Sequence, residues 1–320
     1  MRTLLLTRSD VIRNLQALIL LEDLREAFRT DALARTVAPQ RVRVALHAEG
    51  TALALLPGCL PGIPAYTVKV HAKFPASTPA IQGVVHLNDL ATGELMAVMD
   101  SGHLTAVRTG VMGALAADVL ARRDASRVAI IGAGAQAVKQ IKSLRLVRSL
   151  SHVRVYDTDP TRSFAFATRM YQELNLPVRP EDSVADAVAD ADIIIAATWS
   201  RQPFLHPGMV KPGTHITTLG ADEPGKAEVS AELLRQARFI CDHRGLSVAS
   251  GAVGNVGLGE DAIHAELGEV IAGLKPGRTS PEEVTVFGAV GLPFQDLAAA
   301  WHVYQAAQGD DAIQGMDFGA

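Results

Sequence analysis

The stretch "VAIIGAGAQA", residues 128–137, constrains this chain more than any other. An apolar run leads into Gly132, Gly134 and Ala137 in the pattern G-x-G-x-x-A, where a helical pattern begins. A buried strand turning sharply into a helix uses each of these residues. Gly132 permits the turn, Gly134 lets backbone approach a pyrophosphate, and Ala137 lets helix and sheet pack closely. The amides around Ala135, Gln136 and Ala137 then stand at the positive end of that helix, facing the phosphates. A second apolar run, "HVRVYD", ends in Asp157, near the roughly 20-residue distance at which a carboxylate accepts the ribose hydroxyls. With Thr158 beside it, this carboxylate repels a 2′-phosphate, which predicts NAD rather than NADP. Arg162 is the nearby cation that a phosphate would otherwise meet.

The motif sits in a region of βα alternation: "RVAII", "HVRVYD", "DIIIAATWS", "HITTLGADEPG", "RFICD" and "EVTVFGAVG" read as strands buried on both faces of a parallel sheet. Ligands of such sheets bind beyond the carboxyl ends of the strands. That edge would carry Thr198 and Ser200 in "ATWS", and Gly220, Asp222 and Lys226 in "LGADEPGK". A simple cap remains an equal reading for Thr198.

Upstream the texture differs. Residues 9–35 repeat apolar positions at helical spacing, with Ser9 and Asp10 as cap candidates, so a helix is predicted to begin the chain. Residues 40–100 break into short β-rich pieces, with "VVHLNDLATGELMAVM" the clearest hairpin of an antiparallel sheet. Residues 103–121, rich in Ala and Gly, predict a closely packed helix leading to the βα region. "FQDLAAAWHVYQAAQ" predicts a last helix that returns to the N-terminal part, followed by a frayed end in "GDDAIQGMDFGA".

Composition narrows the function. The 320 residues, 48% of them hydrophobic, suffice for about two domains. With 30 basic against 34 acidic residues, no basic stripe and few aromatics, no nucleic-acid partner is expected. No stretch approaches the roughly 20 apolar residues of a membrane span and no signal peptide is evident, so a cytoplasmic protein is expected. Cys59 and Cys241 stand far apart and read as free thiols. His47, His71 and His86 read as single structural histidines, and no metal site is predicted.

Lys69, Lys73 and Arg108 lie in apolar surroundings, and Arg41 precedes "VRVAL". A buried cation must snorkel, find a salt bridge or meet an anion. A substrate carboxylate and a structural ion pair both satisfy the pattern. No Tyr-x-x-x-Lys pair or zinc ligand set points to alcohol chemistry.

In order, "VKVHAKFP", "GVVHLNDLATGELMAVMD", "LTAVRTG", "GAGAQA", "YDTDP", "ATWS", "GADEPGKAEV" and "VFGAVGLPFQDLAAA" resemble the ornithine cyclodeaminase/mu-crystallin family over nearly the whole chain. The resemblance implies an α/β fold: a Rossmann NAD-binding domain over 119–293, and a discontinuous α/β substrate-binding and dimerisation domain formed by 1–118 with 294–320. It implies a cytoplasmic homodimer acting on a small amino-acid or imino-acid substrate. Arg41, Lys69, Gln82, Arg108, Val290 and Gly291 match substrate-binding positions, and Asp222, with Lys69, the catalytic ones. The expected activity is NAD-dependent hydride transfer at a Cα–N bond, first of all the ornithine cyclodeaminase reaction (L-ornithine to L-proline and ammonia with NAD recycled). Ketimine reduction, alanine-type dehydrogenation and non-catalytic dinucleotide binding of the mu-crystallin kind are the alternatives. The chain departs from the family at Ala76, where Gly is usual, and in "FGAVG", where many members carry a lysine. The segment 51–77 holds no Asp or Glu to meet a distal ammonium.

Overall fold

The computed structural model describes residues 2–46, 51–74, 77 and 79–318. The chain forms two compact units, residues 1–108 with 292–320 and residues 109–291. The first change of unit thus falls between Arg108 and Thr109, inside a helix and upstream of the expected position at 118, and the second falls at Leu292.

In the first unit a strand, β1 (Thr3–Leu6), precedes any helix. The expected N-terminal helix is two helices, α1 (Arg8–Asn14) and α2 (Ala17–Ala34). Thr7, not Ser9 or Asp10, caps α1: its hydroxyl accepts from Asp10 N–H while the Asp10 carboxylate accepts from Thr7 N–H, a reciprocal capping box. Asp10 was therefore rightly placed at a helix start but three residues inside it. Strands β2 (Val42–Ala45), β3 (Ala52–Gly58), β4 (Ala65–Lys73), β5 (Ile81–Asp89) and β6 (Leu95–Asp100) form an antiparallel meander, and α3 (Ser101–Leu120) leaves it.

In the second unit the chain continues through β7 (Arg127–Ile131), α4 (Ala135–Leu144), β8 (His152–Tyr156), α5 (Pro160–Leu174), β9 (Val178–Pro180), α6 (Val184–Val188), β10 (Ile193–Ala196) and β11 (His215–Thr218). It ends with α7 (Ala231–Gln236), β12 (Arg238–Cys241), α8 (Arg244–Ser250), β13 (Ala265–Glu266), α9 (Leu267–Ile271) and β14 (Thr285–Gly288). The sheet order β13-β12-β14-β11-β10-β7-β8-β9 is parallel throughout. Every residue of β10, β11 and β14 is buried, the signature of strands covered on both faces. β7 and β10 are neighbours from which the chain winds in opposite directions, so their carboxyl ends mark the switch point where such sheets bind ligands. A cleft of about 650 Å³ lies at the other edge, lined by Arg122, Pro212 and Arg278. Arg122 is paired with Asp124 and Asp192, and Arg278 donates to the carbonyls of Leu120 and Glu283, so neither is offered to a ligand.

The chain returns to the first unit with α10 (Pro293–Ala307) and β15 (Gly315–Met316). The expected frayed end instead adds β15 antiparallel to β1. The sheet order is β15-β1-β6-β5-β4-β3-β2. α10 packs on α2 and β4, with its residues 293–300 all buried and Phe294 edge-on to Phe28 at 5.1 Å between centroids.

Candidate active site

Alternation along β4 puts Thr67, Lys69 and His71 on one face of the meander, and α10 packs on β4. Lys69 and Arg108 are 2% and 6% exposed, and both point at Asp296, which is fully buried on α10. Lys69 Nζ lies 2.6 Å from Asp296 Oδ2, and Arg108 Nε donates to Oδ1 at 3.0 Å. Arg108 also donates to Gln295 Oε1 at 2.9 Å. Burial lowers Lys69 to about 8, against the pull of Asp296. Burial by itself would raise Asp296; the charges of Arg108 and Lys69 overcome it and hold the carboxyl below its ordinary value. Of the two partners open to these lysine and arginine positions, an ion pair and a ligand anion, the ion pair is the one formed, with Asp296. Asp296 neutralises one cation and leaves the cluster with one excess positive charge.

Sequence reasoning missed Asp296. It sits in a run read only as apolar helix, and its partners are 188 residues or more away in the chain. Arg41 precedes β2, partly exposed, and its charge is felt at both Lys69 and His71. Gln82 does not join the cluster. It pairs with Ala72 in the register while Lys69 pairs with Val85, and the two-residue alternation sends its side chain to the other face. His47 and Ala76 lie outside the described residues.

In the second unit Gly132 follows β7 with φ +93°, a conformation that excludes side chains, and a Cβ there would stand 2.6 Å from Ala197 O. Gly134 is the N-cap of α4 without any side-chain cap, and the space where its Cβ would stand is empty. Open amides at the positive end of a helix fit a pyrophosphate. Gln136 Oε1 is enclosed there without a hydrogen-bond partner among the described residues, and Ala137 is fully buried between helix and sheet. Asp157 ends β8, accepting from Ala133 N–H at 2.8 Å and from Asp159 N–H at 3.0 Å. Thr158 lies exposed beside it. Arg162 lies exposed, its Nε 3.6 Å from Asp159. Asp157→Ala is therefore expected to weaken NAD binding and narrow its preference over NADP by at least about tenfold, read by titrating both dinucleotides. Equal affinities in the parent chain would remove Asp157 from this role.

Thr198, Ser200 and Gly220 reach the same edge, but their groups are already engaged. Thr198 donates through N–H and hydroxyl to Glu228 at 2.7 and 2.8 Å, Thr218 Oγ1 and Gly220 N–H donate to its other oxygen at 2.6 and 2.9 Å, and Ser200 donates to Gln202 O. Glu228 is wholly buried, and burial raises its pKa despite those donors. It is the second residue that sequence reasoning missed, a clamp on the tips of β10 and β11. The amides of Val290 and Gly291 are likewise spent on Asp242 Oδ2, at 2.9 and 2.6 Å. Burial pushes Asp242 up to about 6, against those amides.

Asp222 stands past β11, one-third exposed, with Lys226 Nζ 2.8 Å from its carboxylate. The ammonium of Lys226 also lies 5.0 Å above the Trp199 ring. Gly225 turns the loop at φ +79°, and Asn255 ties it by donating to the carbonyls of Glu223 and Lys226. Lys226 is thus placed to aim the carboxylate.

A family model described as "Ornithine cyclodeaminase/mu-crystallin family" matches residues 1–311. An alanine dehydrogenase of Archaeoglobus fulgidus is 35% identical over 318 residues, 96% of each chain. The structure of an archaeal alanine dehydrogenase dimer with bound NAD superposes with a TM-score of 0.93 at 32% identity, over 99% of this chain and all of that one. A Δ1-pyrroline-2-carboxylate reductase of Thermococcus litoralis, in complex with NADH and L-proline, gives 0.90 at 30% identity over 95% and 97%.

Proposed function

The chain belongs to the ornithine cyclodeaminase/mu-crystallin family, and from that premise we propose that it oxidises a small L-amino acid at Cα–N, or reduces the corresponding imine, with NAD. NAD-dependent amino-acid and imine redox chemistry is common to the relatives named above. The finer reading, an amino-acid dehydrogenase or imino-acid reductase, rests on one observation above the others: two buried cations, Lys69 and Arg108, share the single carboxylate of Asp296. The excess charge suits one substrate α-carboxylate, with Arg108 able to offer a forked contact.

Bound nicotinamide supplies hydride acceptance or donation. The chain's own residues supply the rest. Lys69 and Arg108 hold the carboxylate, which fixes the direction of Cα. Asp222 takes the proton released as the amine becomes an imine, and returns it in the reverse direction. Lys226 keeps that carboxylate aimed. Ornithine cyclodeamination is the second reading. The carboxylate of Asp222 at a strand tip favours it, since imine formation, ammonia loss and ring closure all move protons. Against it, 51–77 offers no acid to a distal ammonium.

Incubation with NAD and L-alanine, L-proline or L-ornithine separates these readings. Net NADH from alanine or proline marks a dehydrogenase or reductase. Ammonia and proline from ornithine without net NADH mark a cyclodeaminase. Tight NAD binding with no turnover on any amine or imine would leave a binding protein of the mu-crystallin kind and overturn the proposal.

Two further outcomes are expected. Because Lys69 titrates near 8, its charge is present below that pH and lost above it, so KM for a carboxylate substrate should climb by up to about tenfold per pH unit past 8. Lys69→Met should raise KM at neutral pH and flatten that limb; an unchanged alkaline limb would take Lys69 out of carboxylate binding. Assembly as a homodimer is the reading for quaternary structure. β2 is the edge of its sheet and exposes Val42 and Val44, an arrangement that invites a partner strand. Sedimentation as a monomer at micromolar concentration would count against it.

A further inference from the structure

Next to Lys69 on its face of β4 is His71, and neither of its ring nitrogens has a hydrogen bond among the described residues; Nδ1 is fully enclosed. Burial and the nearby charges of Lys69, Arg108 and Arg41 lower this imidazole to about 3, so it is neutral and carries one N–H and one acceptor nitrogen. Gly83 faces His71 across the β4–β5 pair. A Cβ on Gly83 would stand 2.0 Å from Val70 O, 2.9 Å from His71 Cα and 3.0 Å from Ser101 Oγ, so only glycine fits there, and its lack of a side chain lets Ser101 approach His71 closely. Ser101 is wholly buried, and its hydroxyl too is enclosed without a partner among the described residues. Thr105, one turn along α3, has an enclosed Oγ1 with no partner among the described residues, and Arg108 follows on the same helix face.

Three enclosed polar atoms therefore stand on β4 and α3, the elements that carry Lys69 and Arg108, and among the described residues all lack the partners that buried polar groups normally have. His71 is two residues from Lys69, about 6.6 Å along the strand, a span that suits the distance from an α-carboxylate to an oxygen on a short side chain. We propose that His71, Ser101 and Thr105 form a side-chain subsite selecting amino or imino acids with a hydroxyl or carboxyl oxygen on a short side chain, over aliphatic and ω-ammonium ones. This rests on the amino-acid reading and narrows it. A site built to hydrogen-bond an oxygen penalises the analogue lacking it far more than an apolar pocket penalises a missing methylene.

Steady-state kinetics of the full chain with NAD and L-serine, L-aspartate, L-alanine and L-norvaline test the subsite. Serine or aspartate is expected to exceed alanine in kcat/KM by at least about tenfold, and whichever leads identifies hydroxyl or carboxyl as the group read. Ser101→Ala and His71→Leu are each expected to cut that within-enzyme ratio by about tenfold, a readout that partial unfolding does not move. A lead for alanine or norvaline, or a ratio unmoved by both substitutions, overturns the subsite and leaves the amino-acid reading standing. No turnover of any of the four, in either direction with the matching 2-oxo acids, ammonia and NADH, overturns both.

Discussion

Asp296→Ala is expected to destabilise the first unit by about 3–5 kcal/mol, because it strands two cations that are almost wholly buried. At roughly 2–4 °C per kcal/mol, the melting temperature should drop by on the order of 10 °C. The cost comes from the uncompensated charge and not from the lost contact, so a second substitution, Lys69→Met in the Asp296→Ala background, should restore part of the stability. That rescue separates electrostatic stranding from loss of α10 packing, which a methionine at position 69 would not repair. A melting temperature unchanged in Asp296→Ala would mean that the cluster is open to water, and the excess-charge argument for a substrate carboxylate would fall with it. A carboxylate ligand should also raise the melting temperature of the parent chain.

The second large effect concerns chemistry alone. Asp222→Asn should lower kcat by about 10²–10⁴-fold, the usual contribution of a positioned proton acceptor, while leaving the melting curve in place. Asp222 is one-third exposed, and its loop is held by Asn255 through backbone carbonyls that the substitution leaves alone. Asn keeps the shape and the hydrogen bonding but cannot take the amine proton. A variant that turns over normally would transfer the base role elsewhere. A variant that loses NAD binding in parallel would make Asp222 part of the cofactor cradle.

Most of the second unit was legible because its signals are local. A strand, a glycine turn and a helix N-terminus occupy consecutive residues 127–144, and the turn at Gly132 follows from steric rules that any chain must obey. The carboxylate at the tip of β8 was placed by spacing for the same reason. Continuous apolar strands announced a sheet covered on both faces, although the insertion of β14 between β11 and β12 depends on how the chain returns and left no trace in the pattern. The helix boundaries near the N-terminus were harder. Ser9 and Asp10 have the chemistry of caps, but Thr7 competes for the same amides, and the reciprocal bond with Asp10 decides the matter.

The sequence by itself determined the dinucleotide turn, the alternation of elements and the identity of the cations that need an anion, because each depends on steric or solvation properties of residues near one another in the chain. The tertiary structure alone decided what those cations meet. Asp296 reaches Lys69 and Arg108 only when α10 packs against the meander, and Glu228 reaches Thr198 and Thr218 only when β10 and β11 lie side by side. It also decided that Gln82 faces away from the cluster and that the amides of Val290 and Gly291 belong to Asp242. The physical reason is common to all of these: a buried polar group takes whatever partner the packing of distant segments brings within hydrogen-bond reach, and linear spacing carries no record of that choice.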